Sequence, residues 1–496
     1  MSNPLVFGKN NTQGIVSVEV NDSSTELYFE GSDVPTVVDN RFWILCNQRL
    51  PGVVHLKGDL YYKYGFQFTE RSAFLKARQR LKDRDTYSIY DNKEAFMVKD
   101  GYTYFKGMKL EDLSVLSFDL ETTGLNPKDP SAKVLIISNT FYKDKSKTRR
   151  LFKYTDYSSQ EEMIGAWCEY VRQCSPSILT GHNIVSFDLP YLHYMNNDSL
   201  PIGRNGESVT IEDKFESKFR VDGTRDLHYH KVKCYGREIV DTMFLSYKYD
   251  IGRKYSSYGL KTIIKEEGLE APNRTFYDAS QIRFNYHIPE EWEKIVDYCK
   301  DDADDGLTLF HLMAPPFFYM TQSIPKSFQS VVESATGSQL NSIMVRSYLQ
   351  EGHSVPKADD IGKYEGAISW GKPGVYKNCF KLDVASLYPS VMIEHSIYPV
   401  HKDPNKNFLK ILEYFRDERL KNKRLAKETG DKYYSHLEQS QKISINSMYG
   451  FMGAPGLNFN YAKGAAEVTR HGREILMKAI KWACGDDYKL ESYDQG

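Results

Sequence analysis

The stretch FKLDVASLYPSVM, residues 380–392, combines a carboxylate with a turn that could hold it against a metal ion. The apolar residues at 380 and 382 predict the end of a buried strand, from which Asp383 can point toward a cation. The proline after Tyr388 cannot continue a strand and predicts a turn that keeps this tyrosine near the same ion. Phosphoryl transfer by two cations about 4 Å apart needs at least two carboxylates. Asp383 therefore requires an acidic partner.

A second acidic pair lies in SVLSFDLE, residues 114–121. This stretch predicts a core strand, in which Asp119 and Glu121, two positions apart, project from the same face. Two carboxylates on one face repel each other unless a cation lies between them, which indicates a metal site. An exposed edge strand with two solvated acids is the alternative that this stretch leaves open.

Two more stretches supply acids that could join this pair. In GHNIVSFDLPYL, Asp188 closes a strand-like run and begins a new element. In EEWEKIVDYCKDDADDGLTLFHLM, a predicted helix places Tyr298 and Asp302 on one face at i and i+4. Asp241 also ends a predicted strand and is interpreted as structural. The other acids of the predicted helix are interpreted as solvated charges: Asp301, Asp304 and Asp305.

The region after residue 400 is basic, although the whole chain carries a net charge of only −1. Residues 402–432 hold ten Lys or Arg against six Asp or Glu. Two helices are predicted there, at 408–427 and about 432–451, with a tight turn at TGD between them. Basic and polar side chains recur on one face of each helix. A solvated charged surface is the usual meaning of such spacing.

Composition sets the broad class of the protein. The 496 residues are 41% hydrophobic and 26% charged, as in a globular protein of three or so domains. No apolar run approaches 18 residues and no signal-peptide pattern is present, so we expect a cytoplasmic location, the host cytoplasm if the source is viral, and no membrane partner. The seven cysteines are scattered without a CxxC pair, which indicates reduced thiols and argues against a zinc site.

Taken together, these strings resemble motifs of the family B DNA polymerases, of a viral or phage-like type. DxxSLYPS, which begins at Asp383, resembles motif A, and KISINSMYG at 442–450 resembles motif B, KxxxNSxYG. The DxE, NxxxFD and YxxxD series resembles the 3′–5′ proofreading exonuclease of the same family. KYEGAISWGKPG resembles the junction motif between the two modules.

The resemblance implies roles for the exonuclease residues. The DxE acids together with Asp188 and Asp302 would hold two divalent cations, Mg²⁺ with Mn²⁺ as an alternative, and Tyr298 would orient the attacking water. Asn183 and Phe187 would contact the frayed 3′ end. A phosphodiester needs its charge neutralised, a water activated and its leaving oxygen stabilised, which such a set can supply.

For the polymerase module, the resemblance assigns Asp383 and the Val384 carbonyl to the catalytic Mg²⁺ ions. Gly450 would cover the nascent base pair with Tyr449, while Tyr364 and Gly366 would contact template DNA. The residues implied to bind the incoming dNTP are Ser386, Leu387, Tyr388, Arg419, Lys423, Lys442, Asn446 and Tyr449.

The expected fold is an α/β multidomain protein with a β-rich N-terminal domain, an RNase H-like exonuclease domain and a partial α+β palm with two-helix fingers. The expected boundaries are 1–110 for the N-terminal domain, 111–312 for the exonuclease, 313–370 for a linker that returns to the N-terminal domain, 371–400 for the palm with motif A, 401–453 for the fingers and 454–496 for a palm helix.

The second palm aspartate, expected in a hairpin of the type YGDTDS, has no good match after motif B. Tyr493 and Asp494 are a poor substitute, and the thumb is missing as well. There are three explanations. The polymerase is encoded as two polypeptides, the sequence is cut short at the motif C hairpin, or the protein is truncated and works only as a nuclease. The interpretation is the N-terminal part of a split or truncated template-directed polymerase with proofreading, which acts in DNA replication on primer-template DNA and dNTPs. A second chain or a missing segment would supply motif C and the thumb. A stand-alone 3′–5′ exonuclease and a noncatalytic assembly subunit are the alternatives.

Overall fold

The computed structural model describes residues 3–221, 225–369, 373–379, 381–384 and 386–485. Phe380, Tyr493 and Asp494 lie outside these ranges. Mixed α/β elements and a β-rich N-terminal region agree with the expected fold class.

The N-terminal module contains two small sheets and three helices. Strands β1, β2 and β3 form one antiparallel sheet, and the other has the order β5-β6-β4-β7. None of these three helices was foreseen in the sequence, which predicted only a β-rich module. The elements are α1 (Pro4–Phe7), β1 (Ile15–Val20), β2 (Ser24–Phe29), β3 (Thr36–Asp39), β4 (Phe42–Cys46), β5 (Val54–His55), β6 (Tyr64–Phe68), α2 (Arg71–Arg80), β7 (Thr86–Tyr87) and α3 (Asn92–Asp100).

A five-stranded sheet forms the centre of the next module. Its order is β10-β9-β8-β11-β16, in which β8, β9 and β10 are antiparallel and β11 and β16 run parallel to β8. This mixed sheet is consistent with an RNase H-like fold. Its strands are β8 (Val115–Thr122), β9 (Val134–Lys143), β10 (Ser146–Lys153), β11 (Ile178–Gly181) and β16 (Glu238–Asp241), with four short strands inserted, β12 (Thr210–Ile211), β13 (Ser217–Arg220), β14 (Asp226–Tyr229) and β15 (Val232–Lys233).

Helices cover this sheet, and the longest of them crosses β8 closely. That helix is α9, and a Cβ built on its Gly306 would lie 2.8 Å from the Ser117 Oγ of β8, so this crossing depends on a glycine. The helices of this module are α4 (Gln160–Cys174), α5 (Asp188–Met195), α6 (Thr242–Tyr249), α7 (Leu260–Glu266), α8 (Ala279–Asn285) and α9 (Pro289–Met313).

After α9 the chain returns to the N-terminal module through α10 (Pro315–Thr321), α11 (Phe328–Glu333) and α12 (Thr336–Leu349). Helix α12 is buried on every side from Gln339 onward. Beyond it, Lys57 and Tyr62 form β-bridges with His353 and Val355. The N-terminal module is therefore built from two distant parts of the sequence.

The remaining described residues form helices: α13 (Leu387–Glu394), α14 (Asn407–Thr429), α15 (Lys432–Met452) and α16 (Ala462–Cys484). Helices α14 and α15 make the predicted antiparallel hairpin. Gly430, with φ of 68°, ends α14, and the Asp431 side chain accepts a hydrogen bond from the Tyr433 backbone N–H at 2.9 Å at the start of α15.

The buried strand end predicted before Asp383 is wrong for residues 381–384. These residues form no strand, and the side chains of Leu382 and Val384 are 59% and 52% exposed. A strand needs a neighbour to satisfy its backbone groups, and within the described ranges no strand pairs with this segment.

Candidate active site

Strand β8 places the first two acids at the centre of the five-stranded sheet. β9 and β11 flank it on both sides, which excludes the alternative of an exposed edge strand. Asp119 and Glu121 project from one face, as the two-residue period requires. Glu121 is only 7% exposed, and among the described residues no hydrogen bond or ion pair reaches its carboxylate.

The loop between β11 and α5 brings in the third acid. Asp188 is the first residue of α5 and is buried. The carboxylate of Asp241 at the end of β16 fixes this loop, because it accepts backbone N–H bonds from Asn183 at 2.8 Å and from Val185 at 3.0 Å. Asn183 has a φ of 68°, and Phe187 is half-buried against the Tyr191 ring, 5.3 Å between centroids. Asp241 thus holds this loop in place, which agrees with its interpretation as a structural residue.

Helix α9 supplies the last two residues of the set. Tyr298 and Asp302 lie one turn apart and are both buried. The Lys261 ammonium of α7 donates a hydrogen bond to the Tyr298 hydroxyl, and its Nζ lies 3.8 Å from Asp302 Oδ2. Lys261 was missed in the sequence because lysines are frequent in its neighbourhood.

A buried arginine, also missed, holds the other side of Asp302. The Arg274 guanidinium donates to Asp302 Oδ1 at 2.5 Å and to Asp305 Oδ2 at 2.7 Å, and its side chain is 1% exposed. The interpretation of Asp305 as a solvated charge is wrong, because this pairing keeps it buried. Asp301 accepts the Thr275 N–H at 2.7 Å, and Asp304 accepts the Thr140 hydroxyl at 2.5 Å. These two acids also have partners.

Burial and mutual repulsion raise the pKa values of the carboxyl groups in this site. Burial, reinforced by the charge of Asp302, raises the pKa of Glu121 to about 8. Burial and the charge of Asp241 raise the pKa of Asp188 to about 8. The pKa of Asp119 lies well above its usual range because this partly buried carboxyl is desolvated and lies beside the other three acids. Buried carboxylates in oxygen-rich sites are ligands for hard divalent cations, and the unpaired Glu121 fits that use.

The residues expected to bind the metals, the nucleotide or the base pair of the polymerase site fall into an exposed group and a contacted group. Asp383, Val384, Lys423, Lys442, Asn446 and Gly450 are exposed. The Arg419 guanidinium is 17% exposed and donates to Glu438 Oε1 and to Ser386 Oγ, both at 2.8 Å. Helix α14 is therefore tied to the start of α13, and Glu438 is a contact that sequence reasoning missed.

Three tyrosines from separate motifs meet at the end of α15. The Tyr388 and Tyr449 rings are 4.6 Å apart, beside half-buried Leu387, and the Tyr364 hydroxyl lies near that of Tyr449 in the space beside Gly453. A Cβ on Gly472 of α16 would lie 2.9 Å from the Tyr388 ring, so this glycine makes room for it. Tyr364 thus contacts another motif. The expected template contact stays a prediction.

The segment of Tyr364 is held by α16. Arg473 donates to the Gly366 carbonyl at 2.6 Å and to Glu365 Oε2 at 2.9 Å, and Thr469 donates to the Glu365 carbonyl at 2.9 Å. A Cβ on Gly366 would meet no atom within 4 Å, so its Cα side is open.

Two family models match the chain. Residues 41–263 match the exonuclease domain of DNA polymerase family B, and residues 398–491 match DNA polymerase family B itself. The chain belongs to the family B DNA polymerases. The first match covers Asp119, Glu121 and Asp188, and the second covers the α14–α15 hairpin.

Individual family B relatives agree with this assignment. A DNA polymerase of Thermococcus sp. (strain 9oN-7) is 25% identical over 75% of this chain and 51% of its own length. The DNA polymerase delta catalytic subunit of Drosophila melanogaster is 25% identical over 74% of this chain and 39% of its own length. The chain thus spans about half the length of the curated relatives it matches. Neither is from a phage, so the expected phage-like origin gains no support from them.

A solved structure shares the fold of this family B chain. The family B DNA polymerase from the archaeon Pyrobaculum calidifontis has a TM-score of 0.74 and 16% sequence identity, covering 94% of this chain and 71% of that one. Within the described part of the family B chain, no helix has the length and apolar character needed to span a membrane.

We expect the metal-free family B chain to lose stability as pH rises. Folding raises the pKa of Glu121 and Asp188 from about 4 to about 8, so the folded state binds more protons between these values and stability falls across that window. Mg²⁺ should therefore raise Tm more at pH 8 than at pH 5.5, by about 3 °C or more. Thermal denaturation with EDTA or Mg²⁺ measures this.

Asp119→Asn should flatten both the pH slope and the Mg²⁺ effect, because it removes one of the repelling charges. Asp297→Asn, at an exposed position of α9, is the matched control and should leave both unchanged. An equal Mg²⁺ effect at both pH values would contradict this electrostatic account of the site.

Arg274→Leu should destabilise the exonuclease domain by about 3–5 kcal/mol, because it leaves Asp302 and Asp305 buried without their cation. Arg283→Ala, at an exposed position of α8, should change stability by less than about 0.5 kcal/mol. Chemical denaturation measures both variants. Equal effects would show that the buried guanidinium does not hold these two acids.

Proposed function

We propose that this chain carries a 3′–5′ exonuclease site for DNA and the nucleotide-binding part of a DNA-directed DNA polymerase. The convergence of four carboxylates from β8, α5 and α9 supports the exonuclease proposal. The two family matches and the meeting of motif A with the α14–α15 hairpin support the polymerase proposal.

In the proposed exonuclease reaction, Asp119, Glu121, Asp188 and Asp302 hold two divalent cations, for which we propose Mg²⁺ with Mn²⁺ as a substitute. Such cations neutralise phosphate charge and lower the pKa of bound water. Arg274 engages Oδ1 of Asp302, while Oδ2 accepts no hydrogen bond in the described ranges and has only the longer 3.8 Å ion pair with Lys261, so Oδ2 can still bind a cation.

Tyr298 is proposed to orient the attacking water. Its hydroxyl is buried and receives a hydrogen bond from Lys261, whose ammonium also lies 4.0 Å from the ring centroid. These two contacts fix the phenol, so its O–H can donate in one direction only. Lys261 is therefore proposed as a positioning residue.

The primer end is proposed to enter beside the loop that precedes α5. Asn183 and Phe187 lie there next to Asp188, with a partly accessible aromatic ring on which an unpaired base can stack. The turn after β8 adds Leu125, whose side chain is 83% exposed near the same strand end. A frayed single strand reaches such a site more easily than a duplex does.

On the polymerase side, Arg419, Lys423 and Lys442 are proposed to bind the triphosphate of a dNTP, with Asn446 near its sugar. A triphosphate carries excess negative charge even with its metals, so cations on facing helices stabilise it. Arg419 already contacts Ser386, which places this cation beside motif A.

Nucleotidyl transfer also needs a second carboxylate beside Asp383. We propose that it comes from a motif C segment, on a partner chain or in a further part of the polypeptide. The runner-up is a 3′–5′ exonuclease without polymerase activity, for which the Arg419 contact with motif A would serve only to hold the helices together.

Asp119→Ala should abolish shortening of a 5′-labelled single strand by the purified chain with Mg²⁺, by about a thousandfold or more. Lys261→Met and Tyr298→Phe should each slow it by about a hundredfold, because the water loses its orientation. Lys265→Met, at an exposed position of α7, is the control for Lys261→Met. Shortening that survives Asp119→Ala would contradict the proposed site.

The same chain, given a primer annealed to a longer template and all four dNTPs, should not extend the primer unless a motif C segment is supplied. Extension by the chain alone that Asp383→Ala abolishes would contradict the need for that segment. Asp360→Ala, another exposed acid, is the control. No extension under any condition would favour the exonuclease alone.

A further inference from the structure

A buried thiol faces the acidic pair of the proposed exonuclease site. Cys299 lies on α9 between Tyr298 and Asp302 and is fully buried. Its Sγ, a carboxylate oxygen of Asp119 and one of Glu121 all lie within 4.8 Å of one another. These three atoms come from opposite walls, two from β8 and one from the helix that crosses it.

The acids beside this thiol have no cation of their own in the described ranges. Lys261 forms its ion pair with Asp302, and Arg274 forms ion pairs with Asp302 and Asp305. Glu121 is more than nine-tenths buried and has no hydrogen bond or ion pair within the same ranges. A buried acid without a partner is costly, so this side of the site is built for a positive charge.

The donor set distinguishes one class of cation from another. Mg²⁺ prefers oxygen ligands and gains nothing from a thiol, whereas Zn²⁺ and Cd²⁺ accept sulfur together with carboxylate oxygen. A tetrahedral Zn²⁺ ion that binds a sulfur at about 2.3 Å and oxygens at about 2.0–2.2 Å holds the sulfur and each oxygen about 3.6 Å apart, roughly 1 Å less than the 4.8 Å limit found here. Small side-chain rotations therefore bring all three atoms to a single ion.

We propose that Asp119, Glu121 and Cys299 form a site for a thiophilic divalent cation, Zn²⁺ or Cd²⁺, that excludes Mg²⁺ from the exonuclease centre and inhibits it. The thiol gives its proton to the buffer as the metal–sulfur bond forms, and water completes the coordination. The inhibition rests on the exonuclease function proposed above, whereas the binding does not.

Binding is tested without any activity, with Cd²⁺ as the probe. In a chain carrying Cys379→Ser and Cys484→Ser, which removes the exposed thiols, Cd²⁺ should give an ultraviolet sulfur-to-cadmium charge-transfer band. Cys299→Ser should abolish the band and weaken Cd²⁺ binding by about tenfold or more in calorimetry. Cys168→Ser, a buried cysteine on α4, is the matched control and should keep both.

Asp119→Ala should also weaken Cd²⁺ binding, because the carboxylate is part of the same set. Cys299→Ala serves beside the serine variant, and Tm measurements establish that each variant is folded. The proposal would be overturned if the charge-transfer band persists in Cys299→Ser, or if Cys299→Ser binds Cd²⁺ as tightly as the parent that lacks the two exposed thiols.

Inhibition is tested with Zn²⁺ added to the Mg²⁺-supported shortening reaction. The Zn²⁺ concentration for half inhibition should rise by about tenfold or more in Cys299→Ser, and Cys168→Ser should behave as the parent chain. Equal inhibition of both would overturn the inhibitory role. If Mg²⁺ alone supports no shortening of the DNA, the proposed exonuclease function is contradicted. The cadmium band would still show whether Cys299 belongs to a metal-binding site.

Discussion

Four carboxylates gathered in one place, three of them buried and Asp119 partly buried, are the constraint on which the exonuclease domain depends. Their repulsion and desolvation oppose folding, and the sheet and α9 hold them together by packing. Within the described residues the ion pairs of this set lie on one side, where Arg274 and Lys261 reach Asp302. On the opposite side, Asp119 and Glu121 have no ion pair within those ranges, and it is there that we propose a cation binds. This asymmetry would let the domain fold and still bind the proposed metal ions.

The parts of this site that follow a simple period could be predicted from the sequence. Asp119 and Glu121 share a strand face, and Tyr298 and Asp302 share a helix face, because these periods are fixed by backbone geometry. Arg274 and Lys261 could not be found in this way. They come from a loop and a separate helix, and only tertiary folding brings them to Asp302. The same applies to Asp305, whose helix position does not reveal its buried arginine partner.

In the polymerase region, the sequence predicted the helical hairpin and its turn, because the Thr-Gly-Asp break and the helical period are local signals. It did not predict how the motifs meet. Tyr388, Tyr449 and Tyr364 come from three motifs, and they converge because Gly472 and Gly453 leave space for two of their rings. Arg419 joins the hairpin to motif A. Strand formation near Asp383 was overestimated, since local apolar residues cannot supply a pairing neighbour.

The bridges from Lys57 and Tyr62 to His353 and Val355 have a consequence for how this protein is made. The N-terminal module cannot complete its contacts until about 290 more residues have left the ribosome, roughly 15–60 s at ordinary rates of synthesis. The five-stranded sheet needs only residues 115–241 for its strands, all synthesised in that interval. The module that comes later in the sequence can therefore complete its sheet first, and the N-terminal module completes its folding afterwards.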